Sequence, residues 1–216
     1  MPSDDFETRV RGVETRRKPN PEERRRHLCD AAIALLAEEG ARGLSHLKVD
    51  RRGGVPDGTT SFYYRTRAAL LRGVANQLVR YDIEAFTAAF EEDPGDGAGL
   101  AALAEQMMRI REEPNLSRTR ARLELTMLSR RDAHLAAGFQ EVLENYRSLA
   151  ERLVIGIAPV RGAVSQELVA EQASVLLTYL SGLVFGFANG STEPASREHV
   201  QRQIRAVILG VAAERR

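Results

Sequence analysis

Small polar and basic side chains are concentrated between Ser45 and Arg67, where they could bind phosphate groups and the edges of nucleic-acid bases. Glycine at position 58 and the hydroxyls at positions 59–61 leave little bulk between a backbone and an approaching polyanion. Arginine and lysine bind phosphate, and small side chains let a helix come close enough to read base edges. The chemistry that this stretch could do is therefore binding.

Bond-making chemistry has no comparable support in the chain. The four histidines (His27, His46, His134, His199) are not spaced as metal ligands, either with each other or with Cys29. There is no G-x-S-x-G motif and no P-loop lysine. We therefore expect no enzymatic activity, no metal and no cofactor.

The elements that must position the basic stretch read as two short helices and the start of a long one. Ser45 is a suitable N-cap for the first, and Gly53-Gly54 should end it because glycine reaches the left-handed conformation of a tight exit. Pro56 presets the next segment, which opens at Gly58, and Thr66 can cap the long helix. Two short helices joined by a glycine turn are typical of a helix-turn-helix. An ordinary helical hairpin inside an all-α domain is the alternative.

Charge is distributed unevenly along the chain. Residues 1–80 contain 16 lysines and arginines against 11 acidic residues, and residues 81–216 contain 15 against 19, which together give the totals of 31 and 30. Within residues 42–80 there are 8 basic residues and only 2 acidic ones. A basic N-terminal part on an acidic remainder indicates a surface that faces a polyanion.

The stretch G-V-P-D-G-T-T-S-F-Y-Y-R-T-R-A-A-L, preceded by A-I-A-L-L-A-E-E-G, resembles the DNA-binding domain of TetR-family transcriptional regulators over roughly residues 22–75. The resemblance implies an all-α homodimer that binds a palindromic DNA operator and releases it when a small organic effector enters the C-terminal domain. It also implies that Tyr63 and Arg67 contact phosphates and that Tyr64 packs inside. The predicted DNA-binding residues are Ser45, Lys48, Pro56, Asp57, Gly58, Thr59, Thr60, Ser61, Tyr63, Arg65 and Arg67.

Three features of this stretch, at four positions, depart from the family pattern. Asp57 replaces a basic or small residue, and Thr60-Ser61 replace a frequent Leu-Tyr pair, so base preference cannot be transferred. Asp50 stands before the turn, where a small apolar residue is usual. A buried lone carboxylate is costly, so we expect Asp50 to reach a nearby arginine unless the local packing differs.

Helix signals continue along the whole chain and predict an all-α fold. Asn20-Pro21 should start the first helix, with an Asn cap and proline at the first helical position, and Gly40 should end it. A helix from Thr66 to about Phe90 connects the basic part to the rest, and five more are expected at 99–112, 115–130, 132–157, 164–189 and 195–213. The predicted domains are a flexible basic tail (1–19), a helix-turn-helix domain (20–66) and a helical ligand-binding and dimerisation domain (67–216). A tail that follows phosphates or enters the minor groove is a second reading of residues 1–19.

Two further sets of residues are predicted in the C-terminal part. Soft methionines with a few polar groups suit a site for a small organic molecule. Core is the stronger interpretation for any single residue, and it is the family resemblance that implies a pocket. The set is Phe86, Met107, Arg111, Arg122, Glu124, Met127, Leu128, Phe139, Leu143, Tyr146 and Tyr179. The last two helices have excess apolar surface, which indicates core or a subunit interface, and the two-fold symmetry of a palindrome favours the interface. Its predicted residues are Leu176, Leu180, Leu183, Val184, Phe187, Ile204, Val207, Ile208 and Val211.

Compartment and alternatives follow from what the sequence lacks. A single cysteine excludes an internal disulfide, and we find no apolar run of 18 residues and no signal-peptide pattern, so we expect a cytoplasmic protein without a membrane partner.

The first alternative to a DNA-binding regulator is a small helical ligand-binding or enzymatic protein whose basic head is incidental. The second is a scaffold whose last helices bind a different chain.

Overall fold

The structure is a computed structural model, and it describes residues 20–92, 98–130, 133–157 and 165–214. Side chains at 86–92, 98, 134, 138, 139, 141 and 142 fall outside that description, as does the predicted tail 1–19. Those ranges are helical with no strand, which confirms the all-α prediction. Their helices are α1 (Pro21–Gly43), α2 (His46–Arg52), α3 (Thr59–Tyr63), α4 (Arg67–Glu92), α5 (Ala98–Arg109), α6 (Asn115–Ser129), α7 (Ala133–Ile157), α8 (Gln166–Ala188) and α9 (Arg197–Glu214).

Helix α1 begins as its sequence predicts and is interrupted at the glycine that was expected to end it. Asn20 and Glu23 form a reciprocal capping box, with each side chain accepting from the other residue's backbone amide at 2.8 and 3.0 Å. The predicted break at Gly40 is present as a kink with non-helical backbone. Gly40 takes φ 67°, a kink that glycine tolerates, and the helix resumes for one short turn to Gly43.

The two short helices and their turn form at the predicted places. Ser45 accepts the amide of Lys48 and caps α2, and Thr66 accepts the amide of Ala69 and caps α4. The expected left-handed exit occurs at Gly54 (φ 60°), whereas Gly53 keeps a right-handed conformation. Only one of the two turn glycines, Gly54, therefore adopts the left-handed conformation that the glycine pair predicted.

The helix-turn-helix has an apolar core that extends into the rest of the chain. Leu28 and Leu36 of α1 pack with Val49 of α2, and Leu70 of α4 is completely buried among them. Leu125 of α6 belongs to the same cluster. Because α6 contributes to this core, apolar packing does not separate residues 20–66 from the rest of the chain. The predicted domain boundary at residue 66 therefore stays a prediction. A movement of α6 would also affect α1, which it contacts.

A second core lies among α5, α7, α8 and α9. It contains Leu103 of α5 and Val154 of α7, and four residues that we predicted to lie at a subunit interface: Leu176, Phe187, Ile204 and Ile208. Those four are buried within one chain, so their assignment to an interface is wrong. The last two helices were expected to be either core or interface, and these inward faces are core.

Helix α8 is long and apolar enough to cross a bilayer by length and composition alone, which corrects the expectation that the chain has no such segment. It packs against α7 and α9 through Val169, Ala173 and Leu176. Much of its remaining surface is open, with Phe185 62% exposed. One helix of this kind is also found in soluble proteins, where another surface covers it.

Candidate nucleic-acid interface

Helix α3 has an inner and an outer face that alternate with helical spacing. Thr60 is fully buried, and Tyr63 and Tyr64, three and four positions later, are half-buried. Ser61 and Phe62 are exposed, as are Gly58, which directly precedes the helix, and Arg65, which follows its extended C-cap Tyr64. A Cβ built on Gly58 would meet no atom within 4 Å. The outer face, Gly58, Ser61, Phe62 and Arg65, is therefore open to a partner.

Asp50 fixes the start of α3 from the end of α2. Its carboxylate is 1% exposed and accepts three hydrogen bonds, from the Gly58 amide (2.7 Å), the Thr60 amide (2.7 Å) and the Thr60 hydroxyl (2.5 Å). The residue at the N-cap position is Gly58, which has no side chain to cap with. Asp50 thus acts as the N-cap for a helix eight residues away, and the expected pairing with an arginine does not occur.

Glycine is required at position 58 for a separate reason. Its φ of 91° lies in the left-handed region, which side chains with a Cβ rarely adopt. That conformation turns the chain from Pro56 into α3 and aims the Gly58 amide at Asp50. Backbone geometry and the buried carboxylate therefore set the direction of α3 together.

The aromatic residues after the turn hold α3 from behind. The Tyr64 hydroxyl lies 3.1 Å from the Cys29 sulfur of α1, and its ring packs against Gly73 of α4 so closely that a Cβ there would lie 2.5 Å away. Burial raises the pKa of Tyr64, and burial raises the pKa of Cys29 to about 11. Tyr64 therefore packs inward, against the first core, as the resemblance implied.

Two histidines connect the same elements through backbone carbonyls. The His27 Nε2 lies 2.6 Å from the Gly53 carbonyl oxygen, and the His46 Nε2 lies 2.7 Å from that of Tyr64. Carbonyls only accept, so each ring nitrogen carries a proton and donates. One histidine joins α1 to the end of α2, and the other joins α2 to the end of α3. Neither contact was predicted from the sequence.

Basic residues around the outer face of α3 divide into paired and unpaired ones. Lys48 and Arg52 pair with Glu39 and Glu38, and Arg67 donates to the Ala41 carbonyl at 2.5 Å. Arg51 and Arg65 are exposed and make no ion pair within the described part of the chain. Exposed pairs are worth little in water, so the paired side chains can still exchange partners.

Ten of the eleven residues predicted to bind DNA are exposed or half-buried. Contacts of these residues with DNA stay a prediction. Thr60 is the exception: its hydroxyl is buried against Asp50, and we remove it from the set. The others are exposed or, for Thr59 and Tyr63, half-buried at the rim of α3. Phe62 was absent from the predicted set although it is 79% exposed. Its position about one helical turn after Gly58 could have identified it.

The predicted effector residues are not brought together at one place. Arg122 of α6 donates to both carboxylate oxygens of Asp82 (2.7 and 2.8 Å), and the Tyr146 hydroxyl of α7 donates to the same carboxylate. Burial, with Asp82 adding to it, raises the pKa of Tyr146, so the phenol stays protonated. This cluster joins α4, α6 and α7, and Asp82 is the member that sequence reasoning missed.

Other members of that set lie elsewhere. Met107 is in the second core and Arg111 lies over the ring of Phe187, while Tyr179 donates to Gln203 at 2.6 Å. Glu124 and Leu128 contact the first core and α1 instead of the interior of the body. Met127 (66%) and Leu143 (57%) are exposed, so they do not line an internal cavity. The Phe86 and Phe139 side chains lie outside the described residues.

The outward faces of α8 and α9 carry residues different from those predicted at an interface. On both α8 and α9 the exposed residues recur every three or four positions, so they form one outward face on each helix. Leu180, Leu183, Val184, Val207 and Val211 of the predicted set are partly buried at the edges of these faces. The outward residues are Val175, Thr178, Ser181, Gly182 and Phe185 on α8, with Arg205, Ala206, Leu209 and Gly210 on α9.

Comparison with known proteins gives matches in structure alone. No protein-family model and no curated protein sequence matches the chain. A transcriptional regulator from Rhodococcus is 18% identical with a TM-score of 0.70, covering 91% of this chain and 97% of its own. A TetR transcription regulator from Haloarcula marismortui is 17% identical with a TM-score of 0.67, covering 89% and 98%. The multidrug binding protein EbrR, complexed with ethidium, is 20% identical with a TM-score of 0.62, covering 85% and 98%. The chain therefore has the fold of TetR-family transcriptional regulators.

Proposed function

We propose that this protein is a DNA-binding transcriptional repressor of the TetR family, regulated by a small organic effector. The observation that carries the proposal is the outer face of α3, held outward by the buried Asp50 carboxylate and flanked by exposed arginines. A short helix with this exposure is what major-groove binding requires. The fold and the resemblance of residues 22–75 support the same assignment.

The protein acts as a homodimer on a palindromic operator. The exposed apolar side chains of Val175, Phe185 and Leu209 lie on the outward faces of α8 and α9, and a second copy would cover them. A palindrome demands a two-fold dimer whose two α3 helices reach successive turns of the major groove, and we propose that the axis of this dimer passes between these faces. Such a protein needs no membrane partner and works in the cytoplasm.

A small organic molecule bound among α4, α6 and α7 lowers operator affinity. The solved complex of EbrR with ethidium supports an organic effector in a protein of this fold. Asp82, Arg122 and Tyr146 are polar groups at the junction of the three helices. A ligand that prefers another arrangement of this junction would move α4, and coupling energies of this kind are typically ~1–3 kcal/mol.

A second route connects the body to the DNA-binding part at the α1 kink. Glu124 of α6 accepts the Ala41 amide at 3.1 Å, and Arg67 of α4 donates to the Ala41 carbonyl. The backbone of a single residue, Ala41, thus joins α6, α1 and the first turn of α4. A shift of α6 would be transmitted to Arg67, a residue that the family resemblance assigns to phosphate contact.

Selection of bound DNA from a random pool tests the proposal. We expect a palindrome, with an affinity that falls steeply as salt concentration rises because phosphate contacts release counterions. Recovery of no specific sequence, with binding absent at low salt, would contradict it. The alternative of a ligand-binding or enzymatic protein predicts that outcome, together with full ligand chemistry after residues 1–80 are deleted.

A further inference from the structure

Phe62 is the most exposed of the large apolar side chains in the described part of the chain, at 79%. It lies on the outer face of α3, between Ser61 and Arg65, and belongs to neither apolar core. A solvated phenylalanine contributes little to folding because its apolar surface stays in water. The exposed ring is therefore available to contact a partner outside the chain.

The direction of the Phe62 ring is set by its neighbours. It meets the ring of Tyr63 edge to face at a centroid distance of 5.1 Å and an interplanar angle of 84°. The Tyr63 ring is in turn covered by the Arg25 guanidinium, 5.4 Å from its centroid. Asp50 anchors the start of the same helix. The backbone that carries Phe62 and the ring beside it are therefore both held in place by other residues.

The surroundings of Phe62 favour DNA over an apolar protein groove as its partner. The neighbouring outward groups are a hydroxyl (Ser61), an unpaired arginine (Arg65) and a glycine with open space around it (Gly58). An apolar protein partner would leave these polar groups buried without bonds. A major groove supplies phosphates for the arginine and hydrogen-bonding edges for the hydroxyl.

One group in the major groove is apolar, the 5-methyl group of thymine, and phenylalanine is among the side chains that contact it. We propose that Phe62 contacts a thymine methyl group in each half of the operator and thereby sets base preference there. This inference rests on the proposed function and deepens it. Position 62 was not in the predicted DNA-binding set, and the small residues Thr59 and Ser61 give the ring room to reach the base.

The test replaces each thymine of the selected operator with uracil, which removes only the methyl group. We expect one symmetric position at which uracil weakens binding about fourfold per half-site, the factor that corresponds to ~0.8 kcal/mol for one buried methyl-sized group. In Phe62→Ala, thymine and uracil should bind equally at that position, while the salt dependence of binding is retained. Phe62→Leu should keep part of the preference.

A matched control removes an exposed apolar side chain far from α3. Ile155 of α7 is 56% exposed, and Ile155→Ala should leave the thymine preference unchanged. A palindrome at which every uracil is tolerated would overturn the inference alone, as would an undiminished uracil penalty in Phe62→Ala. Absence of specific DNA binding would overturn the proposed function and this inference with it.

Discussion

At the scale of single residues, helix α3 depends on a buried carboxylate, that of Asp50. Asp50 joins α2 to α3 through two amides and one hydroxyl. A short helix of five residues has little stability of its own, so its direction must come from contacts of this kind. The nearby arginines are then free to face outward.

Asp50→Ala should destabilise the protein by about 2–4 kcal/mol, because three buried donors lose their acceptor. Thr60→Val removes a single donor and should cost about 1 kcal/mol. Urea unfolding measures both. Asp57→Ala, at an exposed carboxylate nearby, is the control and should change the free energy of unfolding by less than about 0.5 kcal/mol. Equal effects at positions 50 and 57 would argue against the capping role.

Cys29 makes stability depend on alkaline pH. Burial raises its pKa from 9.0 to about 11, so between these values the unfolded chain loses the thiol proton and the folded chain keeps it. Stability is therefore fully present below pH 9 and falls as pH rises toward 11, by up to ~1.4 kcal/mol per pH unit.

The measurement for Cys29 is urea unfolding at pH 8 and pH 10. Tyrosines with raised pKa values, including Tyr81 at about 12, contribute in the same direction. The comparison with Cys29→Ala isolates the thiol, because that variant should lose less stability over this range. Identical pH slopes in the two proteins would exclude the effect.

At the scale of elements, helix starts follow local chemistry, whereas the end of α1 depends on another helix. Asn20, Ser45 and Thr66 cap as their sequence contexts predict, since a cap needs only its next three residues. The turn after Gly40 persists because Glu124 of α6 accepts the Ala41 amide. No local pattern near residue 40 contains that information.

Glu124→Ala should leave the Ala41 amide without its acceptor and destabilise the last turn of α1 by about 1 kcal/mol. Faster hydrogen exchange at Ala41 and weaker operator binding are the expected readouts. Glu124→Gln keeps an acceptor oxygen at nearly the same place and should behave like the wild type. If the alanine variant retains slow exchange at Ala41, the proposed route from α6 to α1 is incorrect.

At the scale of the whole molecule, the two cores divide the apolar residues into those that hold the chain together and those left for another chain. Leu176 and Ile208 are internal, while Phe185 and Leu209, on the same helices, are exposed. Sequence periodicity identified both helices as apolar. It could not say which side of α8 faced the other helices of the core, because α8 is apolar around much of its circumference.

Phe185→Asp should convert the proposed dimer to a monomer, since burying an unpaired carboxylate at an interface is costly. Sedimentation velocity at micromolar concentration measures the change. Ile155→Asp, on an exposed apolar position of α7, is the control and should leave the mass unchanged. A wild-type protein that sediments as a monomer would contradict the homodimer directly.

The sequence by itself determined the all-α fold, the start of the main helices and the location of the glycine turns, because caps, proline and glycine act within a few residues. Most of the outward positions around α3 also followed from residue type. Only the tertiary structure decided the role of Asp50, the burial of Thr60, the dispersal of the predicted effector residues and the division of α8 and α9 into inner and outer faces. Each of these depends on groups brought together from distant parts of the chain, and such contacts leave no signal in local spacing.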